Sequence, residues 1–410
     1  MKSDIDRLME ARGLDALAVL GGEGDNPHRH YLTNGVKASA IVIKKRGEPP
    51  TLIVNNMEVE EAQKSGLPVL THNDFKLFEL WAQYKDDRAT MLVKMWERFL
   101  AHFGIARGRV GVYGFGNIGA AWEQLKLLSA SFPAIEFKGE RDTSLFDEAV
   151  STKDAAEIAI MREVGERTCA VMQAVWDFIA GHWAVDGTVV KADGSALTVG
   201  DVKRFLRVKL LEFGLSDPND ETIFAVGRDA GFPHSRGQDG DALRLGQAIV
   251  FDLFPRDLRS GYYHDMTRTW SIGYAAPEVE KAYGEVRLAY DRVMDTLAVG
   301  EKTQKYQLLA CDVLEECGHP TVRSQPGTTT GYVHSLGHGL GLEIHERPSF
   351  THLRDDDVVQ VGSVFSVEPG VYYPEQGFGV RIEDTVYMDE SGKARSLTPF
   401  PKDLVLPLKG

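Results

Sequence analysis

Two strand-turn-strand stretches each carry a facing pair of acids, and no other feature limits this chain's fold so tightly. In "IVFDLFPRDLRSGYYHDMTRTW", residues 248–255 and 262–270 read as strands around a turn in "RDLRSG". A tip centred between Leu258 and Arg259 puts Asp252 directly opposite Asp265, with Cα atoms ~4.5–5.5 Å apart. In "FSVEPGVYYPEQGFGVRIED", Pro374-Glu375-Gln376-Gly377 makes a four-residue turn, and centring on it puts Glu368 opposite Glu383. Like charges that face each other destabilise a sheet. Two carboxylates ~4 Å apart repel by ~4 kcal/mol at an effective dielectric of about 20. The flanking "IVF", "VFS" and "VRI" predict burial, so the pairs have no easy route into water. Two divalent cations would balance the four charges.

The stretch "YVHSLGHGLGLEIHERP" gathers His334, His338 and His345 from a chain that has only 12 histidines. His338, between Gly337 and Gly339, supplies a neutral nitrogen, and the glycines let backbone pass close to a crowded site. The candidate ligands are therefore Asp252, Asp265, His338, Glu368 and Glu383. Mostly hard oxygens suit Mn²⁺ best, with Co²⁺, Zn²⁺ and Fe²⁺ as other fits. Taken singly, each acid reads as a surface charge and His338 as a histidine in a glycine turn; the combination points to metal. His334 and His345 have no ligand position left and fit as donors to a substrate carbonyl or carboxylate. His234, in "GFPHSRG", either joins them or is an exposed loop histidine.

With 410 residues the chain is too long for one small core and divides into two domains or forms one large one. Strand and helix patterns alternate to about residue 150. Then "DEAVSTKDAAEIAIMREV" opens a long helix that Ser151 or Thr152 can cap, and a domain boundary is placed there, giving 1–150 and 151–410. Further helices are expected near 199–213, 277–298 and 303–317. A net charge of −14 disfavours nucleic acid and anionic membranes as partners. No apolar run reaches the ~20 residues of a membrane span. Early acids at the N-terminus, and only Cys169, Cys311 and Cys317 as thiols, predict a cytoplasmic protein without a disulfide framework. Residues 114–119, Gly-Phe-Gly-Asn-Ile-Gly, imitate a dinucleotide fingerprint, with Glu140 ending the next strand. No further βαβ unit follows, and the expectation is a glycine-rich turn that binds nothing.

These motifs resemble those of the creatinase / Xaa-Pro peptidase / methionine aminopeptidase family of pita-bread metallopeptidases. "GLDALAVL" followed by "HYLTN" is similar to the creatinase-type N-terminal domain, and "STKDAAEIAIMREV" to the start of the catalytic domain. The resemblance implies an α/β N-terminal domain over 1–150. It implies an α+β pita-bread catalytic domain over 151–410, with a curved, mostly antiparallel sheet. It also implies Asp265 and Glu383 as bridging metal ligands, Asp252 on one ion, and His338 and Glu368 on the other. His234 and His345 match histidines on the scissile carbonyl or substrate ends, His334 the first His of an H-x-x-x-H segment, and Arg381 an arginine that orients a ligand acid. The implied activity is dinuclear metal-dependent hydrolysis of Xaa-Pro bonds in short peptides by a homodimer, with Glu368 as proton shuttle. The alternatives are a lyase or amidinohydrolase on the same fold, or an inert binding module. Two departures stand out. Asp252-Leu253-Phe254 replaces the family's Asp-x-Gly, and the tip between the two aspartates is two residues longer than usual, which keeps both acids on one face.

Overall fold

A computed structural model describes residues 1–21 and 24–408. The chain splits into two compact units, Met1–Val150 and Ser151–Gly410.

The first unit is built on a six-stranded sheet in the order Val69–Thr71, Thr51–Val54, Ala40–Lys45, Ala16–Leu20, Gly108–Gly114, Ile135–Lys138. A hairpin forms across Gly47, with Ile43 opposite Thr51. The helix Arg88–His102 lays Trp96, Phe99 and Leu100 on the sheet and stops short of Gly104, whose φ of +63° continues no helix. The dinucleotide look-alike does occupy a strand-turn-helix corner, because parallel strands Gly108–Gly114 and Ile135–Lys138 flank the helix Ile118–Ser131. Its polar side chains bond within the unit. Asn117 caps the helix by accepting from Ala120 N at 3.0 Å. Glu140 is taken up by Arg12 Nε at 2.7 Å, Tyr113 Oη at 2.7 Å and Leu145 N at 2.8 Å.

His28 of this unit stacks on Phe146, with ring centroids 4.3 Å apart. Burial pulls its pKa from 6.5 down to about 4, with Asp147 opposing. The unfolded chain therefore takes up this proton first as pH falls, and the contribution of neutral His28 to stability, complete above 6.5, is lost between 6.5 and about 4. His28→Phe is expected to shrink the drop in melting temperature between pH 7 and pH 5 relative to wild type. A pH dependence identical to wild type in thermal unfolding at both pH values would contradict this.

The second unit opens with the helix Ala155–Ala180. Its cap is Asp154 rather than the expected Ser151 or Thr152. Asp154 accepts from Glu157 N while Glu157 accepts from Asp154 N, a reciprocal box that neither neighbour can make without a Glu or Gln three residues on. Helices Val199–Glu212, Pro277–Thr296 and Thr303–Glu316 follow near the expected positions. A four-stranded sheet runs Ile223–Val226, Ala248–Leu253, Met266–Ile272, Val405–Leu406, and a five-stranded sheet runs Glu346–Phe350, Gly337–Gly339, Val364–Val367, Asp384–Met388, Ala394–Ser396. All these pairings are antiparallel except the last of the first sheet. Helices Pro277–Thr296 and Thr303–Glu316 bury Val286, Val293, Tyr306 and Leu314 in one core with Phe350, Phe365, Val380 and Val386 of the strands. Threonines stitch the two sheets where backbone ladders end. Thr269 Oγ1 bridges Arg381 N and O at 2.9 Å each, and Thr385 Oγ1 donates to Asp265 O at 2.8 Å. No helix among the described residues is long and apolar enough to cross a membrane.

Candidate metal centre

The first hairpin departs from the expected register. Asp252 faces Thr267, and Leu253 faces Met266, so Asp265 lies two residues further out than a position opposite Asp252. The placement of the tip is the reason. The turn comes one residue later than expected: Arg256 still pairs with Tyr263 and Asp257 N donates to Tyr262 O at 2.9 Å, which centres the tip between Arg259 and Ser260, while Arg256–Asp257 also pairs with Leu215–Ser216 on its other edge. Asp257 then knots the turn, accepting from Ser260 N at 2.8 Å and Ser260 Oγ at 2.5 Å and pairing with Arg167 Nη1 at 2.8 Å. A slip of two preserves parity, so both acids still share a face. The second hairpin has the expected register: Gly370 faces Arg381, and Tyr373 faces Phe378. The same register resumes beyond a break, with Val367 facing Asp384. Glu368 and Glu383 occupy facing positions in that break.

These strands bring Asp265, His338 and Glu383 together, with one ligand atom from each lying within 4.8 Å of the others. His338 Nε2 lies 3.5 Å from Asp265 Oδ2 and 3.4 Å from Glu368 Oε1. Asp252 closes the group from the other side, where its Oδ2 accepts from Arg381 Nη2 at 2.6 Å. Asp265 and Glu383 are almost wholly buried. Gly337 and Gly339 are required for space: a Cβ on the first would run into the Ser366 carbonyl, and on the second into the Arg347 carbonyl.

Burial raises the Asp265 carboxyl well above its usual range, and Asp252 and Glu368 add to it. Glu383 is raised for the same reasons, burial first and then Asp265, Glu368 and Asp252. Burial pushes Glu368 up to about 8 against the pull of Arg381. His338 goes the other way, to about 3, through burial and the neighbouring His345. A cluster that favours neutral acids beside a neutral imidazole is one that a dication would reorder. The donors fit such an ion. Asp252 Oδ1 and Asp265 Oδ1 are buried without a hydrogen-bond partner, and hard carboxylate oxygens with one imidazole are the donor set of a divalent transition metal.

The remaining predicted residues surround this group. His345 is exposed, its ring 4.4 Å from that of His338. Its pKa is lowered by loss of solvation and by His234. His234 is exposed in the loop after Asp229–Gly231, next to Pro233, whose carbonyl accepts from Arg381 Nη1 at 3.3 Å. His334 has both ring nitrogens engaged, with Ser335 O at 2.7 Å and Tyr372 Oη at 2.8 Å. Arg381 spans the site, holding Asp252 and also donating to Thr267 Oγ1 at 3.1 Å and Tyr372 Oη at 2.7 Å.

Sequence reasoning missed three hydroxyls. Thr267 donates to Glu383 Oε2 at 2.7 Å. Ser366 donates to Glu368 Oε1 at 3.2 Å and accepts from His338 N at 3.1 Å. Tyr372 joins His334 to Arg381. Strand parity was the available signal, since each lies an even number of residues from an acid already singled out.

Comparison with known proteins follows the same lines. The chain is 31% identical over 255 residues to the putative dipeptidase YkvY of Bacillus subtilis, covering 62% of each chain. It is 34% identical over 192 residues to the Xaa-Pro dipeptidase of Pyrococcus furiosus, covering 47% of this chain and 51% of that one. These matched stretches span less than two thirds of those relatives. In structure it superposes on the dipeptidase of Pyrococcus horikoshii OT3 with a TM-score of 0.76, covering 100% of both chains at 23% identity. The fold is thus the two-domain pita-bread arrangement that the sequence resemblance implied. The model of metallopeptidase family M24 matches residues 159–390, more than half of the chain and every acid and histidine of the cluster, and the chain belongs to that family.

Proposed function

We propose that this protein hydrolyses Xaa-Pro peptide bonds, releasing the N-terminal residue, with two divalent ions, Mn²⁺ foremost, held by Asp252, Asp265, His338, Glu368 and Glu383. The observation that carries this reading is the meeting of Asp265, His338 and Glu383, with Glu368 Oε1 3.4 Å from His338 Nε2, and the buried Asp252 Oδ1 and Asp265 Oδ1 that have no partner among the described residues. The names of the M24 relatives, dipeptidase and Xaa-Pro dipeptidase, support the substrate class.

Bound there, the ions supply a Lewis acid and lower the pKa of a water. The chain's own groups supply the rest. Arg381 fixes Asp252, and Thr267 fixes Glu383, so the donors are preorganised. Glu368, half-buried at the edge of the group, takes a proton from the attacking water and passes it to the leaving nitrogen. The imidazoles of His345 and His234, at the exposed side, donate N–H to the carbonyl oxygen as it gains charge. His334, engaged on both nitrogens, contributes by holding Tyr372 against Arg381 and lining the substrate side. The protein works as a homodimer in the reducing cytoplasm, where Cys169 and Cys311 stay buried thiols.

The test is a panel of Ala-Pro, Ala-Pro-Ala, Ala-Ala and Ala-Ala-Ala with purified protein and added Mn²⁺. The expected result is cleavage of the proline peptides alone, lost with a chelator and restored by Mn²⁺. No turnover of either proline peptide with Mn²⁺ or Co²⁺ would favour a non-peptidase enzyme, a lyase or amidinohydrolase, or a binding module on the same fold.

A further inference from the structure

Lys153 and Glu346 form an ion pair that the metal centre does not use. Their Nζ and Oε2 atoms are 2.6 Å apart, and the two side chains are 2% and 3% exposed. Lys153 is pinned at the start of its segment: its N donates to Gly362 O at 2.8 Å, and Gly362, at φ +81°, packs so closely that a Cβ would strike the Lys153 carbonyl. Glu346 lies across the turn that leaves His338. That turn contains no regular ladder: the strand pairing breaks register after His338, and Gly339 next faces Glu346. Leu340 and Leu342 at the start of residues 340–345 are buried, and Leu340 N donates to Val364 O at 3.3 Å; the part that leads on to His345 is exposed at its end. Gly341 N donates to Glu343 O at 3.0 Å, and Tyr263 N donates to Gly341 O at 2.8 Å. Glu346 Oε1 accepts from Glu343 N at 3.1 Å while its Oε2 holds Lys153. Gly341 lies directly against the pair, where a Cβ would meet both Glu346 oxygens and Lys153 Cε.

His345 is the exposed residue at the end of this turn, immediately before the buried Glu346. Among the described residues the His345 ring makes no hydrogen bond, and it meets the edge of the His338 ring. A buried charge pair is costly unless its geometry is well satisfied, and its retention here needs an explanation beyond stability. We infer that Lys153 and Glu346 are positioning residues: the buried pair anchors the 341–346 turn and thereby sets the His345 ring against His338 and the reacting carbonyl. This rests on His345 acting at the substrate, as proposed above. The pair touches neither substrate nor metal and acts only through the turn.

The test is a double-mutant cycle in the full-length, Mn²⁺-loaded protein with Ala-Pro as substrate. Lys153→Met/Glu346→Leu replaces the pair by apolar groups of similar volume, a change that is commonly tolerated in folding. It is expected to lower kcat by about tenfold or more, with KM within about twofold, since a 1 Å misplacement can cost a hundredfold. Metal content by elemental analysis should stay at the wild-type level. In a His345→Ala background the same change should cost nothing further, because the turn then has no ring to place. Lys153→Arg, which keeps the pair, should retain kcat within about threefold. Glu346→Gln is run in parallel: it keeps the side-chain volume and the acceptor for Glu343 N, so a misfolded apolar variant still leaves the cycle complete. Full activity without the pair, or an equal loss with and without His345, would overturn the positioning role. If His345→Ala alone is fully active while the proline peptides are still cleaved, the role of His345 falls and the positioning inference falls with it. If wild type cleaves no proline peptide, the failure lies with the proposed function.

Discussion

Glu383→Gln is expected to abolish hydrolysis and, in the same protein stripped of metal, to raise the melting temperature. The two effects share one cause. Glu383 is 1% exposed and raised well above its ordinary pKa by burial, then by Asp265, Glu368 and Asp252. Facing carboxylates ~4 Å apart repel by ~4 kcal/mol at an effective dielectric of about 20, and protonation relieves only part of that. The amide keeps an oxygen for the Thr267 hydroxyl, so the hydrogen bond at 2.7 Å survives while the charge is lost. A gain of about 1–2 kcal/mol, a rise of roughly 2–8 °C for a unit of this size, is the expected result in metal-free thermal unfolding. Loss of a ligand that orders the centre should lower kcat by at least about a thousandfold. A metal-free variant no more stable than wild type would mean that the cluster is not under electrostatic strain.

Arg268→Met carries the largest expected loss of stability. The Arg268 side chain is 0% exposed. Its guanidinium donates to Asp384 Oδ1 at 2.9 Å and to the carbonyls of Thr267, Glu383, Phe400 and Pro401 at 2.7–2.9 Å. Burial pushes the Asp384 carboxyl up, but Arg268 and Lys402 outweigh it and hold the group below its ordinary value. Tyr290 Oη and Lys402 Nζ hold the other oxygen at 2.6 Å each. Removing the guanidinium leaves a buried carboxylate short of charge and four carbonyls without a donor, for a loss of about 3–5 kcal/mol. That is a large share of the stability of an ordinary domain. Urea unfolding would measure it as a lower midpoint with an unchanged slope. Because Thr267 and Glu383 hang on the same guanidinium, the surviving folded fraction should also bind metal more weakly. A midpoint within the error of wild type would show that water satisfies the freed groups.

What the sequence disclosed, and what it hid, follows from how each feature is encoded. Parity along a strand is local, so Asp252 with Asp265 and Glu368 with Glu383 could be put on common faces without a fold. The Pro374–Gly377 turn is also local, and the register of its hairpin came out as expected. The first tip misled because its turn, closed by Asp257 and Tyr262 and held by the contacts of Asp257 to Ser260 and to the distant Arg167, is centred one residue later than a symmetric placement on the sequence gives. The pita-bread fold was legible through motifs spread along the chain. Parity puts the hydroxyls of Thr267, Ser366 and Tyr372 on the faces of the acids, but whether each meets solvent or a buried carboxylate is set by the fold and not by the local sequence. Arg268 was hidden for the same reason: a lone arginine in "DMTRTW" gives no sign of the four carbonyls it gathers, three of them from two distant segments. Asp154 was passed over as a helix cap in favour of the residues before it, although Glu157, three positions on, was the available signal.

The most direct test of the metal centre is elemental analysis of the purified protein, dialysed against Mn²⁺ and then buffer, beside Asp265→Asn and His338→Ala. Close to two divalent ions per wild-type chain, falling to one or fewer in both variants, is the predicted result. Metal bound equally by all three proteins, or hydrolysis of Ala-Pro by a wild-type chain with no metal in it, would contradict the assignment of these five side chains.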